Sequence, residues 1–119
     1  MSSMYIIVNE SMNMSKGKLI SQISHGMLEV YRFLNENKID FSGWTNNGEK
    51  IVVLKTNNKN IEKILNEFQD KIPKINTLNI FPIYDEGKTQ VSEGSLTVLT
   101  TTPISDDKKP VIFNKFKLL

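Results

Sequence analysis

The run KIVVLK, residues 50 to 55, is apolar at four consecutive central positions and lacks the polar alternation of a strand with one wet face. A strand of this kind must be covered on both sides, which is the situation inside α/β sheets. The β-branched run Met4 to Val8 makes the same demand, so two strands of this chain need helices above and below them.

Two amphipathic segments supply those helices. From Lys18 onward, Leu19, Ile20, Ile23, Gly26, Met27, Val30, Tyr31, Phe33 and Leu34 fall within an arc of roughly 160° at ~100° per residue, which predicts the core face of a helix. Ser15 is placed to cap its start and the asparagines of NENK to stop it. A second helix is expected from about Asn60 to Asp70, with Ile61, Ile64, Leu65 and Phe68 at i, i+3, i+4, i+7 spacing.

INTLNIFPIY, residues 75 to 84, reads as a third strand with Pro82 near its end, where a missing N–H is tolerable. LTVLTTTP, from Leu96, reads as a fourth, joined to the third strand or to the short TQV segment through the SEGS turn. The tail VIFNKFKLL fits a last strand or helix equally well. The order β-α-β-α-β-β argues for a mixed sheet with helices packed on it.

With 119 residues, the expectation is one domain spanning 1–119. Apolar content of 39% and charged content of 24% are those of a globular protein. The absence of cysteine excludes disulfides, thiolate metal sites and thiol nucleophiles, and is compatible with a reducing, cytoplasmic location. The N-terminal MSSMYIIVNE lacks the basic lead and cleavage site of a signal peptide, and no run reaches the ~18 apolar residues of a membrane span, so a soluble protein is expected. A net charge of +2 does not by itself announce a nucleic-acid partner, and Arg32 is the one arginine in a lysine-rich chain.

Three features could carry chemistry. Lys18, Gln22, His25, Glu29 and Arg32 share an arc of about 80° on the first helix, opposite the apolar arc; this is either a solvated face or a functional one. The single histidine is a poor metal ligand without partners, since zinc sites usually need three or four protein ligands. Lys16 and Lys18 stand at the helix N-terminus, where the macrodipole disfavours a cation by roughly 0.3–1 kcal/mol. A lysine beside exposed N–H groups suits a phosphate or a developing oxyanion.

The third is IYDEGKTQVSEGS, residues 83 to 95. Asp85 at a strand end can orient water or accept a proton, Gly87 opens backbone conformations closed to other residues, and Thr89 offers a hydroxyl four residues on. The same residues also satisfy ordinary turn chemistry. No GxGxxG, Walker loop, HExxH or GxSxG is present.

Three blocks together, MSKGKLISQISHG (14–26), FSGWTNNGEKIVVLK (41–55) and DEGKTQVSEGSLTVL (85–99), resemble the type 2 peptidyl-tRNA hydrolases, the archaeal and eukaryotic class. The family pattern is a Met-x-x-Gly-Lys helix start with Gln and His downstream, a Trp before the second strand, and an Asp-x-Gly-[Arg/Lys]-Thr-Gln-[Ile/Val]-x-x-Gly-[Ser/Thr]-x-Thr loop. The likeness extends to the closing FKLL. It implies a three-layer α/β/α fold with a four-stranded mixed sheet, one strand antiparallel and helices on both faces, commonly as a homodimer.

The resemblance also implies a reaction: hydrolysis of the ester joining a peptidyl or N-acylaminoacyl group to the 3′ end of tRNA, with no metal or cofactor. It assigns catalysis to Lys18, Asp85 and Thr89. Gln22, His25, Gly87, Gln90, Gly94, Ser95 and Thr97 also match the pattern, and they join Lys16 and Lys88 as expected substrate contacts.

There are departures. NESM stands where relatives carry Arg-x-Asp-Leu, Gly26 replaces an alanine, and TTP replaces a Gly-Pro. A non-catalytic relative that binds tRNA or a protein, and a small-molecule esterase, are the alternatives; an intact Lys18, Asp85 and Thr89 set favours the enzyme over a pure binder.

Overall fold

The computed structural model describes residues 1–68, 78–85 and 94–119. β1 (Ser2–Asn9) is the spine of the sheet and is buried along nearly its whole length. Because successive strand residues point to opposite faces, Tyr5 and Ile7 enter one core while Met4, Ile6 and Val8 enter the other.

β2 (Ile51–Thr56) runs parallel to β1, with Tyr5 opposite Val52. On the other side lies β4 (Leu96–Thr101), antiparallel to β1 with Ile7 opposite Leu99, and beyond it β3 (Ile80–Tyr84), antiparallel to β4. β3 therefore points the same way as β1 and β2, and it forms an edge, where the missing N–H of Pro82 leaves the β4 pairing intact.

α1 (Lys16–Glu36) covers the face carrying Ile6, Val8, Ile83 and Val98, with Leu19, Ile23 and Met27 packed against them. Val30, Leu34 and Trp44, the last from the short helix α2 (Ser42–Thr45), close the same face over Met4. α3 (Asn58–Phe68) covers the opposite face through Ile61, Ile64 and Leu65, over Tyr5, Ile7 and Leu99. Ser15 Oγ accepts the Lys18 N–H at 3.3 Å and so starts α1, while Asn37 ends it.

The mixed α/β class is as expected, but the sheet has six strands among the described residues rather than four. β5 (Ile104–Ser105) pairs with the start of β1, and β6 (Lys117–Leu118) pairs with the end of β2. Both are antiparallel to their neighbours, so β4 is not alone in that sense. Two residues are too few to show an alternating pattern, which is why β5 is not visible in the sequence and β6 is there only as one of two readings of the tail. The undecided tail is both things: a 3-10 turn at Val111–Lys115, then β6.

The apolar arc of α1 needs a second correction. Ile20 is 64% exposed and Tyr31 46%, whereas Gln22, expected on the polar side, is 4% exposed. The buried line runs through Gln22, Gly26, Val30 and Leu34, four residues apart: Gln22 and Gly26 lie on β4 at Thr97 and Thr100, and Val30 and Leu34 pack with Met4 and Trp44. Gly26 marks the crossing: a Cβ there would stand 2.3 Å from Thr100 Cγ2, and Thr100 Oγ1 donates to the Gly26 carbonyl at 3.1 Å.

Candidate active site

Three features meet at one edge of the sheet: the carboxyl ends of β1, β2 and β3, the first turn of α1, and the start of β4. In open α/β sheets this is the edge where ligands bind.

Asp85 follows β3 directly. Its N–H donates to the Ser95 carbonyl at 2.9 Å and its carbonyl accepts the Gly94 N–H at 2.8 Å. Gly94 has φ +82, a left-handed backbone that glycine adopts without a Cβ penalty. Gly94 and Ser95, expected as substrate contacts, thus use their backbones to fix Asp85.

Lys18 Nζ lies 2.5 Å from Asp85 Oδ1, and the two side chains are only 11% and 1% exposed. Asp85 offsets the unfavourable position of a cation at a helix N-terminus. The other carboxylate oxygen, Oδ2, is buried and has no hydrogen-bond partner among the described residues. A buried acceptor left open beside an ammonium is a costly arrangement for stability alone and a useful one for chemistry. It can take a hydrogen bond or a proton from a water while the cation faces developing negative charge.

Gln22, one turn beyond Lys18, is held within the fold rather than presented to solvent. Its Nε2 donates to Thr97 Oγ1 at 2.8 Å and reaches the Tyr84 carbonyl at 3.5 Å. Thr97, fully buried, in turn donates to the Ile83 carbonyl at 2.8 Å. Lys18 and Gln22 lie on one side of α1, so this clamp sets the height of Lys18 against Asp85.

Lys16 and His25 are exposed on α1, and the Lys18–Asp85 ion pair includes neither. Gly87, Lys88, Thr89 and Gln90 lie outside the described residues.

Asn9, which the sequence reading passed over, is fully buried at the end of β1. Its Oδ1 accepts the Ser11 N–H at 3.2 Å, and its Nδ2 donates to the Leu96 carbonyl at 2.8 Å and to Asn58 Oδ1 at 2.7 Å. The NESM segment therefore ties β1, β4 and α3 together at the site edge. A polar residue ending an otherwise apolar strand was the available signal.

No helix among the described residues is long and apolar enough to cross a membrane.

A family model described as "Peptidyl-tRNA hydrolase PTH2" matches residues 2–119. Proteins named peptidyl-tRNA hydrolase from Methanococcus vannielii and Methanococcus maripaludis are 36% and 37% identical over 117 residues, covering 96% of this chain and 96% of each relative. The protein of that name from Nanoarchaeum equitans is 36% identical over 117 residues, covering 95% of this chain and 96% of the relative. With the match running almost end to end on both sides, this chain belongs to the peptidyl-tRNA hydrolase PTH2 family.

Proposed function

We propose that this chain hydrolyses the ester between a peptidyl or N-acylaminoacyl group and the 3′ end of tRNA, freeing the tRNA for reuse. The observation that carries the reading is the Lys18–Asp85 pair at the carboxyl edge of the sheet, with the buried Asp85 Oδ2 unpaired among the described residues, in a chain matched end to end by the family.

In this reading Asp85 Oδ2 orients the attacking water and takes its proton, with the Thr89 hydroxyl holding the same water. General acid–base help of this kind is worth ~10²–10⁴-fold in rate. As the water oxygen bonds to the ester carbon, charge gathers on the carbonyl oxygen, and the Lys18 ammonium stabilises it. The bond from that carbon to the ribose oxygen then breaks, and the ribose oxygen leaves as a hydroxyl with the proton taken from the water, Lys18 offsetting its charge meanwhile. The chemistry calls on side chains alone and on no metal.

Lys18 is occupied by Asp85, so the acceptor-stem phosphates fall to the exposed Lys16 and to Lys88, with His25 further along the same helix. Such contacts make affinity fall with salt, largely independent of sequence. We also take residues 1–119 as one domain that works as a cytoplasmic homodimer, which sedimentation of the purified protein tests.

The deciding experiment incubates the purified chain with labelled N-acetylaminoacyl-tRNA. Release of the N-acetylamino acid, with the tRNA left intact, is the expected result. Binding of the tRNA with no release would make the chain a non-catalytic relative.

A further inference from the structure

Consecutive residues Tyr84 and Asp85 part company at the end of β3: Asp85 reaches Lys18 on α1, while Tyr84, 44% exposed, lines a cavity on the α3 side. The cavity holds about 400 Å³, within the size range of small-ligand sites. Leu65 and Leu96 give it an apolar floor, and Asn58, Glu62 and Asn66, four residues apart on α3, give it a polar wall.

The orientation of one wall amide is fixed from within. Asn9 Oδ1 accepts the Ser11 N–H, so Asn9 Nδ2 is the donor toward Asn58, and Asn58 must receive it on Oδ1. Ser11 Oγ also accepts the Asn58 N–H at 2.9 Å. Asn58 Nδ2 is left to donate elsewhere, and it has no acceptor among the described residues. Asn9 and Ser11, both in the segment where this chain departs from the family pattern, thus make Asn58 a hydrogen-bond donor at the cavity wall.

An aromatic ring, the amide donor of Asn58, the carboxylate acceptor of Glu62 and the side-chain amide of Asn66, which can do either, match a flat base that carries an exocyclic amine beside a ring nitrogen. Glu62 is the only ionised group among the described lining residues, so a phosphate is disfavoured there. From this chemistry, and resting on the hydrolase reading above, we infer that the cavity takes the 3′-terminal adenine of the tRNA, stacked on Tyr84. The base then lies on one side of the β3 end and the ester on the other, beside Asp85.

The test is an amide NMR titration of the whole chain with adenosine and with inosine, which replaces the exocyclic amine by a carbonyl. Adenosine is expected to shift the Asn58, Asn66, Gly94 and Ser95 signals and to bind about tenfold tighter than inosine, as one bidentate contact allows. Tyr84→Ala should weaken both nucleosides by about tenfold through lost stacking, whereas Glu62→Gln should shrink the ratio between them.

Equal binding of the two nucleosides, or an unchanged response in Tyr84→Ala, overturns the inference. So does a response of the same amides to N-acetylphenylalanine methyl ester in place of adenosine, since the cavity would then serve the peptidyl side. The titration reads the cavity whether or not the ester is cleaved: failed hydrolysis with selective adenosine binding sinks only the hydrolase reading, and hydrolysis without selectivity sinks only this one.

Discussion

Lys18 and Asp85, 67 residues apart in sequence, meet at 2.5 Å in a site that leaves Asp85 1% and Lys18 11% exposed. Such a pair is coupled in stability as well as in chemistry. Lys18→Ala leaves a buried carboxylate uncompensated, an arrangement that costs ~3–5 kcal/mol in comparable cases. Asp85→Asn in the same background removes the stranded charge and should recover part of that loss. Thermal unfolding of the two single variants and the double variant measures the coupling, and additive losses would mean the pair is not a unit. Each single substitution is also expected to lower turnover of N-acetylaminoacyl-tRNA by about 10²-fold or more.

Gln22 should behave as a positioning residue. Its bond to Thr97 is buried, so Gln22→Leu leaves Thr97 Oγ1 short of a donor and is expected to cost ~1–3 kcal/mol. The activity loss should fall on kcat, with KM nearly unchanged, because Lys18 shifts relative to Asp85 while the exposed phosphate contacts stay in place. A rise in KM alone would instead make Gln22 a substrate contact, as its sequence position suggested.

The legible and illegible parts of this molecule separate along physical lines. Met4 to Val8, the run at 50 to 55 and the Ile61, Ile64, Leu65 spacing declared their elements because burial imposes a local period. Lys18 and Asp85 stand out in the sequence because they sit in a long, specific residue pattern, although nothing local says that they touch. Gln22 and Asn9 were misread or missed for one reason: each is a polar side chain buried to satisfy groups far along the chain, Thr97 for one and Leu96 for the other. Periodicity records which side chains are apolar, not which buried oxygens need a donor. β5 escaped, and β6 stayed one of two readings of the tail, because a two-residue strand owes its existence to the neighbour it pairs with.

Tyr5 carries a pH dependence. Its ring packs edge-on against Phe113 at a centroid distance of 5.2 Å, and burial pushes its hydroxyl pKa above the ordinary 10.0. A phenol harder to ionise in the folded chain contributes stability that is whole below pH 10.0 and is lost as pH rises through the folded value. Unfolding by urea at a series of alkaline pH values should show that decline, and Tyr5→Phe should flatten it. An identical decline in Tyr5→Phe would assign the alkaline loss to other groups.

Gly26 and Thr100 set how closely α1 can lie on β4. In an exposed helix interior, Gly→Ala gains up to ~1 kcal/mol from helix propensity. At position 26 the sign should reverse, because the added Cβ would meet Thr100 Cγ2 at 2.3 Å and force the helix or the threonine to move. Gly26→Ala is therefore expected to destabilise by about 1–3 kcal/mol, as overpacked cores do. Thr100→Ser removes Cγ2 yet keeps a hydroxyl able to donate to the Gly26 carbonyl. In that background Gly26→Ala should lose most of its cost, though the added Cβ still stands 3.1 Å from Oγ1 and 3.3 Å from Cβ of residue 100, and unfolding midpoints of the four chains of the cycle would show it. The same movement would displace Lys18, two turns upstream on α1, so Gly26→Ala alone should also slow hydrolysis, with the double variant recovering most of the rate.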